Sequence, residues 1–351
     1  MFSHPTIINN NDRKYNKEVY QQLQFLKSKM HDGEGERMQA SYPEGYLFLH
    51  ALYGLSWANC TKNLAKNAPI YQEAIKELQW AIARMESDTA KAIFQKDLYL
   101  PYGVFYQAWL NYTRAQYLNL QNDAIQKERF QKSCEQIVAA VNHHYTPFLY
   151  SYSSGCWPAD NIVALATLNM HDKLFSTKYT SSKAKWLESI KTKLDKNGLI
   201  PHSVNLGQGN TIEQAKGSSQ SLMLAFLLDI DPVFAKTQYQ QYKKLFIDQR
   251  FGLPGIREFP NGVKGYPDID SGPIILDIGG AASLVGMGTC GQFGDMALYN
   301  GLRNSIRAFG MSYNWQGKKR YLFGKLPIMD AFIAWSHSRV PLEYFEKKKG
   351  L

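Results

Sequence analysis

Polar and aromatic side chains able to do chemistry recur at five well-separated places in this chain. They are Tyr42, Glu44 and Tyr46; Tyr102 and Tyr106; Trp157, Asp160 and Asn161; Ser218, Ser219 and Gln220; and Asp268, Asp270 and Ser271. Carboxyl groups brought together do not ionise alike. Mutual repulsion raises the pKa of one, which can then donate a proton near neutral pH while its neighbour accepts. Glycosidic cleavage needs that division of labour, and Tyr and Trp faces suit sugar rings. Asp160 and Glu44 are the expected acid/base pair, with Asp268 or Asp270 as alternate partner. Tyr42, Tyr46, Tyr102, Tyr106, Trp157, Asn161, Ser219 and Gln220 are expected to line the substrate. His202, from GLIPHSVN, and Glu258, from the loop GIREFPNGVKGYPDIDSG, join them. Each has a structural alternative: the acids can cap helices, the tyrosines can be core residues with satisfied hydroxyls, and His202 reads first as a solvated loop histidine.

The elements that must position these residues form a concealed repeat. A turn rich in Pro, Gly or Ser, then an apolar helical run, begins at Tyr42, Pro101, Cys156, Gly217, Ser271 and Lys325, spaced by 59, 55, 61, 54 and 54 residues. Between these runs lie amphipathic, charged segments: Asn16–Met30, Tyr71–Met85, Gln126–Val141, Ser181–Leu194, Asp231–Phe246 and Asp295–Phe309. Apolar all round implies buried, and one apolar stripe implies an outer position. Regular spacing of this kind is the mark of a repeat architecture. The expected fold is all-α, an (α/α)6 toroid of six helical hairpins forming one domain over residues 1–351, with flexible termini at 1–15 and 345–351. Inner helices would run parallel, gathering the five groups at one rim. Asp231-Pro232 reads as an N-cap followed by proline at N1, and Ser181 and Ser182 as caps of the segment holding Trp186.

Other signals are bland. GMGTCG (286–291) matches GxGxxG but follows no strand, so it reads as close helix packing. His143-His144 reads as a helix end, where the dipole favours histidine; His171 and His337 fall late in inner helices. The sequons at Asn59 and Asn111 fall inside helices. Cys60, Cys134, Cys156 and Cys290 form no CxxC pair, so neither a disulfide scaffold nor a zinc site is expected, and no metal or cofactor is implied. The net charge of +10 and pI near 9.2 favour acidic partners. The basic residues are scattered, however, and carry no nucleic-acid-binding signature. The longest run without Asp, Glu, Lys or Arg, Gln136 to Ala159, is too polar to span a membrane. MFSHPTIINNNDRKYN lacks a signal-peptide core. The expected protein is soluble, cytoplasmic as it stands or exported if a leader has been removed, with a small-molecule or glycan substrate.

The stretches GSSQSLMLAFLLDIDPVFAKTQYQQYKKLF and DNIVALATLNMHDKL resemble the linalool dehydratase/isomerase family, a group of (α/α)6 proteins. The resemblance is one of pattern, from about Tyr42 to Phe246. It implies metal-free acid/base water elimination and isomerisation of a small terpene alcohol, in a cavity of cysteines, an aspartate, a tyrosine and a histidine. This chain has Asp160 at one family cysteine position and Ser151 near the other, with Cys156 offset. Gly103, Val104 and Phe105 stand where the family has histidine, and Asp32 aligns with the family aspartate. The carboxylate and aromatic pattern is also similar to (α/α)6 glycoside hydrolases and polysaccharide lyases. A carbohydrate-active hydrolase or lyase is therefore the first expectation and a terpenoid hydro-lyase/isomerase the second. A non-catalytic toroid holding a glycan or lipid is the third.

Overall fold

The computed structural model describes residues 5–10, 13–152 and 155–345. Fourteen α-helices occur among them. They are α1 (Lys17–Met30), α2 (Glu34–Ser41), α3 (Gly45–Cys60), α4 (Pro69–Met85), α5 (Asp88–Lys91), α6 (Gly103–Leu120), α7 (Ala124–His143), α8 (Pro158–Leu174), α9 (Thr180–Lys191), α10 (Gly217–Ile230), α11 (Pro232–Phe246), α12 (Gly280–Gln292), α13 (Met296–Phe309) and α14 (Pro327–Ser338). The described strands are two to four residues long and pair only as two-stranded sheets. The chain is all-α. The apolar runs are α3, α6, α8, α10, α12 and α14; the amphipathic ones are α1, α4, α7, α9, α11 and α13.

The chain forms two compact units. The first comprises Met1–Arg84, Ile247–Glu258 and Lys264–Leu351. Its α14 packs between α3 and α12, with α1 against α3 and α14, and α13 against α12. In α3, Asn59 alone is not buried, as an inner helix requires. α12 and α14 approach closely because Gly288 has no Cβ: one would collide with the Ser336 carbonyl, while Ser336 Oγ donates to Leu284 O at 2.6 Å. GMGTCG is thus a packing motif. Glu18 accepts from Arg303 and Lys319, each at 2.6 Å. Burial opposes its charge, but the two cations outweigh that and hold its pKa at about 2. A folded pKa below the unfolded one contributes stability above the usual carboxylate range, lost as pH falls through it. Glu18→Gln is expected to cost about 3–5 kcal/mol at neutral pH, because it strands two buried cations. It should also flatten the acid limb of stability between the ordinary and depressed pKa; urea melts across that range check both.

The second unit comprises Met85–Phe246 and Phe259–Val263. Here α8 packs between α6 and α10, with α7, α9 and α11 outside their partners. Thr167 Oγ1 donates to Val163 O within α8 at 3.0 Å and approaches Ala108 O of α6 at 3.4 Å. Asp231 caps α11 as expected, accepting from Val233 N and Phe234 N. Ser181 and Ser182 do not cap α9, which starts one residue earlier. Asp172 instead takes Tyr179 N and Thr180 Oγ1, each at 2.9 Å.

Two further expectations shift. The fifth inner helix starts at Gly280 rather than Ser271, because Ile274–Ile275 and Ile278–Gly279 pair as a tight hairpin. Its corner residues Leu276 and Asp277 have φ of 51° and 69°, and β-branched isoleucines fit strands better than helix starts. Of the termini expected to be flexible, 1–4, 11, 12 and 346–351 lie outside the described residues. Residues 7–10 and 13–16 pair as antiparallel strands.

Candidate active site

In the first unit, α2 ends at Ser41 and the chain turns into α3, with Glu44 at its N-cap. Tyr42 Oη donates to Asp270 Oδ1 at 2.9 Å, which ties the start of α3 to the loop before α12. Glu44 is 5% exposed, and its Oε2 is buried with no hydrogen-bond partner. Burial raises its pKa, and the Asp270 charge raises it further. Glu44, its pKa raised by burial, and Asp270, held by a tyrosine hydroxyl, are thus two carboxyls in unlike surroundings. Asp268 does something else. It is exposed, and its Oδ1 accepts from Ser271 N at 2.7 Å while its N donates to Ser271 Oγ, which closes a turn. Tyr46 is a core residue, 1% exposed, with its ring on His50 at 4.4 Å. Glu258 is fully buried, its carboxylate against Gly279 at the start of α12. Beside it in sequence, Arg257 pairs with Asp248 at 2.9 Å.

In the second unit, the loop before α8 folds back on the start of α6. Val104 N donates to Tyr150 O and Phe105 N to Ser151 O, so two free N–H groups of α6 are satisfied there. Gly103 permits this: its φ is +77°, and a Cβ would collide with the Ser151 carbonyl. A histidine could not stand there. Trp157 N donates to Ser151 Oγ at 3.0 Å, and the half-buried Trp157 ring stacks on Tyr152 at 5.2 Å and 20°. Tyr152 is half-buried as well. Tyr102 is half-buried, with its ring 5.2 Å from Tyr106.

Asp160 is 5% exposed in the first turn of α8, where its charge sits favourably at the positive end of the helix. Asn161 is fully buried and clamps the loop, taking Leu149 N at 2.8 Å on Oδ1 and giving Nδ2 to Trp157 O. Gln220 likewise gives Nε2 to Ile200 O at 2.6 Å, Tyr106 Oη donates to Met85 O, and Ser219 Oγ donates to Lys216 O. These four, expected to line a substrate, are anchors of the fold. Cys156 is buried, its thiol donates to Leu149 O, and burial pushes its pKa up.

His202 is not solvated. It is 4% exposed, its N donates to Glu213 O beside the strand pair formed by 203–204 and 211–213, and its Nε2 is 3.7 Å from Glu213 Oε2. Glu213 also holds Lys216 Nζ at 2.8 Å and Ser203 Oγ at 2.9 Å. Burial opposes its charge, but those two hydrogen bonds keep its pKa low. The sequence reading singled out neither Tyr152 nor Glu213 and Lys216, although the last two stand at i and i+3 just before an inner helix. Among the described residues no cluster of three or more His, Cys, Asp or Glu is placed to hold a metal, and no helix is long and apolar enough to cross a membrane.

The fold and these groups define an all-α chain of the (α/α) toroid class. No protein-family model and no curated protein matches the sequence. Among solved structures the chain is similar to a D-mannose isomerase, at 12% identity and a TM-score of 0.52, over 83% of this chain and 85% of that one. It is similar also to the Lin0763 protein from Listeria innocua, at 12% identity and a TM-score of 0.54, over 85% of each chain. At such identity the likeness shows the fold alone.

Proposed function

We propose that the chain is a carbohydrate-active enzyme that moves protons on a sugar by acid/base catalysis. The observation that carries this reading is the unequal carboxyl pair of the first unit. Glu44, buried and raised in pKa, is suited to donate or recover a proton. Asp270 is fixed in place by the Tyr42 hydroxyl. The His202–Glu213 contact of the second unit, with imidazole and carboxylate 3.7 Å apart, is a further proton-transfer candidate.

Within carbohydrate chemistry, aldose–ketose isomerisation is the reaction we assign, because the fold is shared with a D-mannose isomerase. It requires removal of the C2 proton, its return to C1, and an acid to move the hydroxyl protons. Glycosidic hydrolysis or elimination is the second reading, favoured by the same carboxyl pair. The terpenoid reading draws less support. The cavity cysteine it implies would have to ionise, and Cys156 is buried with its thiol engaged.

Incubation with D-mannose, D-glucose or D-fructose in deuterated buffer, followed by proton NMR, tests this. Interconversion of aldose and ketose, with deuterium entering at C1 of the ketose or C2 of the aldose, is the expected result. Inertness towards all three sugars, with cleavage of a glycan panel, would replace isomerisation by the second reading. Inertness towards every sugar would overturn both.

A further inference from the structure

An exposed apolar patch on the first unit is unrelated to the sugar chemistry. Between α13 and α14 the chain forms a hairpin, Tyr313–Trp315 paired with Lys318–Arg320, with Trp315 opposite Lys318 beside the turn. Leu322 N donates to Gly310 O at 2.8 Å, and the Tyr313 and Phe323 rings lie 5.9 Å apart, so the flanks form one surface. On it Trp315 is 62% exposed, and Phe309, Met311, Phe323 and Leu326 are also more than half exposed. A soluble surface rarely groups large apolar residues in this way without a partner. The backbone is strained to present them: Met311, Leu322 and Phe323 hold φ of 44°, 44° and 58°. Non-glycine residues persist in this region only where the surroundings impose it, commonly at functional places.

The segment that carries the patch is itself cationic, although the adjoining α1 sets Glu18 against Arg303 and Lys319. From Met296 to Leu342 the chain carries Arg303, Arg307, Lys318, Lys319, Arg320, Lys325 and Arg339 but a single acid, Asp330. Asp330 is fully buried and accepts from Tyr321 N, and burial lifts its pKa to about 8, so it adds little negative charge at neutral pH. Arg303 and Lys319 are consumed by Glu18. Arg320 lies over the Phe25 and Tyr313 rings, at 5.0 and 5.2 Å. Lys325 is exposed. The neighbouring α1 adds Lys29, which is half-buried.

From this juxtaposition we infer that the 309–326 surface is a peripheral docking site for an anionic lipid bilayer. Trp, Phe, Leu and Met would enter the headgroup boundary while Lys and Arg meet lipid phosphates. A second copy of the chain fits poorly, because a self-complementary interface would set this cationic surface against itself. Nucleic acid would meet the charges but leave Leu326, Met311 and Phe309 without an apolar partner.

Co-sedimentation with vesicles of phosphatidylcholine, alone or mixed with phosphatidylglycerol, tests the inference on the full chain. Binding to the mixed vesicles only is expected, weakened at high salt, where screening shortens to about 3 Å at 1 M. Lys325→Glu should weaken it by about tenfold or more, since each cation near such a surface contributes about fivefold and the reversal adds repulsion. Phe323→Gly is the discriminating variant. It removes an exposed ring and relieves a left-handed φ together, so the melting temperature should hold or rise while vesicle binding falls. Quenching of tryptophan emission by brominated lipid should vanish in Trp315→Phe. Failure to bind mixed vesicles would overturn the inference. So would binding indifferent to Phe323→Gly and Trp315→Phe, together with equal affinity for an RNA oligomer, which would mark a general polyanion surface.

Discussion

Glutamine in place of Glu44 is expected to reduce sugar turnover by about 10²–10⁴-fold, the usual weight of a positioned general acid or base. The same change should also alter stability in a pH-dependent way, which reports the raised pKa of the buried carboxyl. Glu44 is buried, and both burial and the Asp270 charge raise its folded pKa above the ordinary glutamate value. The folded state therefore binds the proton more tightly than the unfolded state. Stability from this group is fully present below the unfolded pKa and is lost as pH rises through the folded one. Wild type should thus lose stability relative to Glu44→Gln on going from about pH 4 towards neutrality, because glutamine does not titrate. Thermal melts at matched pH values, with kcat measured alongside, check both halves. Undiminished turnover would return Glu44 to a helix-start residue, and a stability difference flat in pH would overturn its raised pKa.

Why one half of the molecule is legible in the sequence, and part of the site is not, follows from what burial does to composition. A helix surrounded by other helices, such as α3 or α8, is apolar on every side, so its repeat shows in plain letters. The amphipathic α11 announces both its start, through Asp231-Pro232, and its outer face. Residues 271–279 show the opposite case. There the decisive feature is a two-residue corner at Leu276 and Asp277 with positive φ, which neither residue type advertises. The helix α2 is similarly quiet, since EGERMQAS has glycine within it and buries only Gly35.

For the site, residue type predicts the capacity for chemistry but not the direction of the side chain. Asn161, Gln220 and Tyr106 carry suitable polar groups, and each spends them on a backbone carbonyl or amide nearby. A buried polar group left unpaired costs more than one never buried, so helix starts in a crowded interior consume such side chains as anchors. Glu44 escapes that use, with one oxygen left without a partner. His202 reads as solvated because GLIPHSVN looks like loop. The short strand pair 203–204 with 211–213 is what covers it.

Asp160→Asn is expected to lower turnover by about 10²–10⁴-fold as well, with the fold intact. Asp160 stands in the first turn of α8, and its charge is felt by the Cys156 thiol. A first-turn aspartate that serves only the helix gains from the dipole, worth about 0.3–1 kcal/mol. Asparagine is its isostere and keeps its acceptor oxygen, so the stability cost should stay within about 1 kcal/mol. The amide cannot ionise or carry a proton, so any proton transfer at this position ends. The two roles of Asp160 therefore separate on one substitution, read by kcat and by urea unfolding together. Full turnover in the Asn variant would leave Asp160 a helix-start acid, and loss of folding would make it a member of a buried network. With turnover lost and the melt unchanged, the carboxyl at the head of α8 belongs to the chemistry.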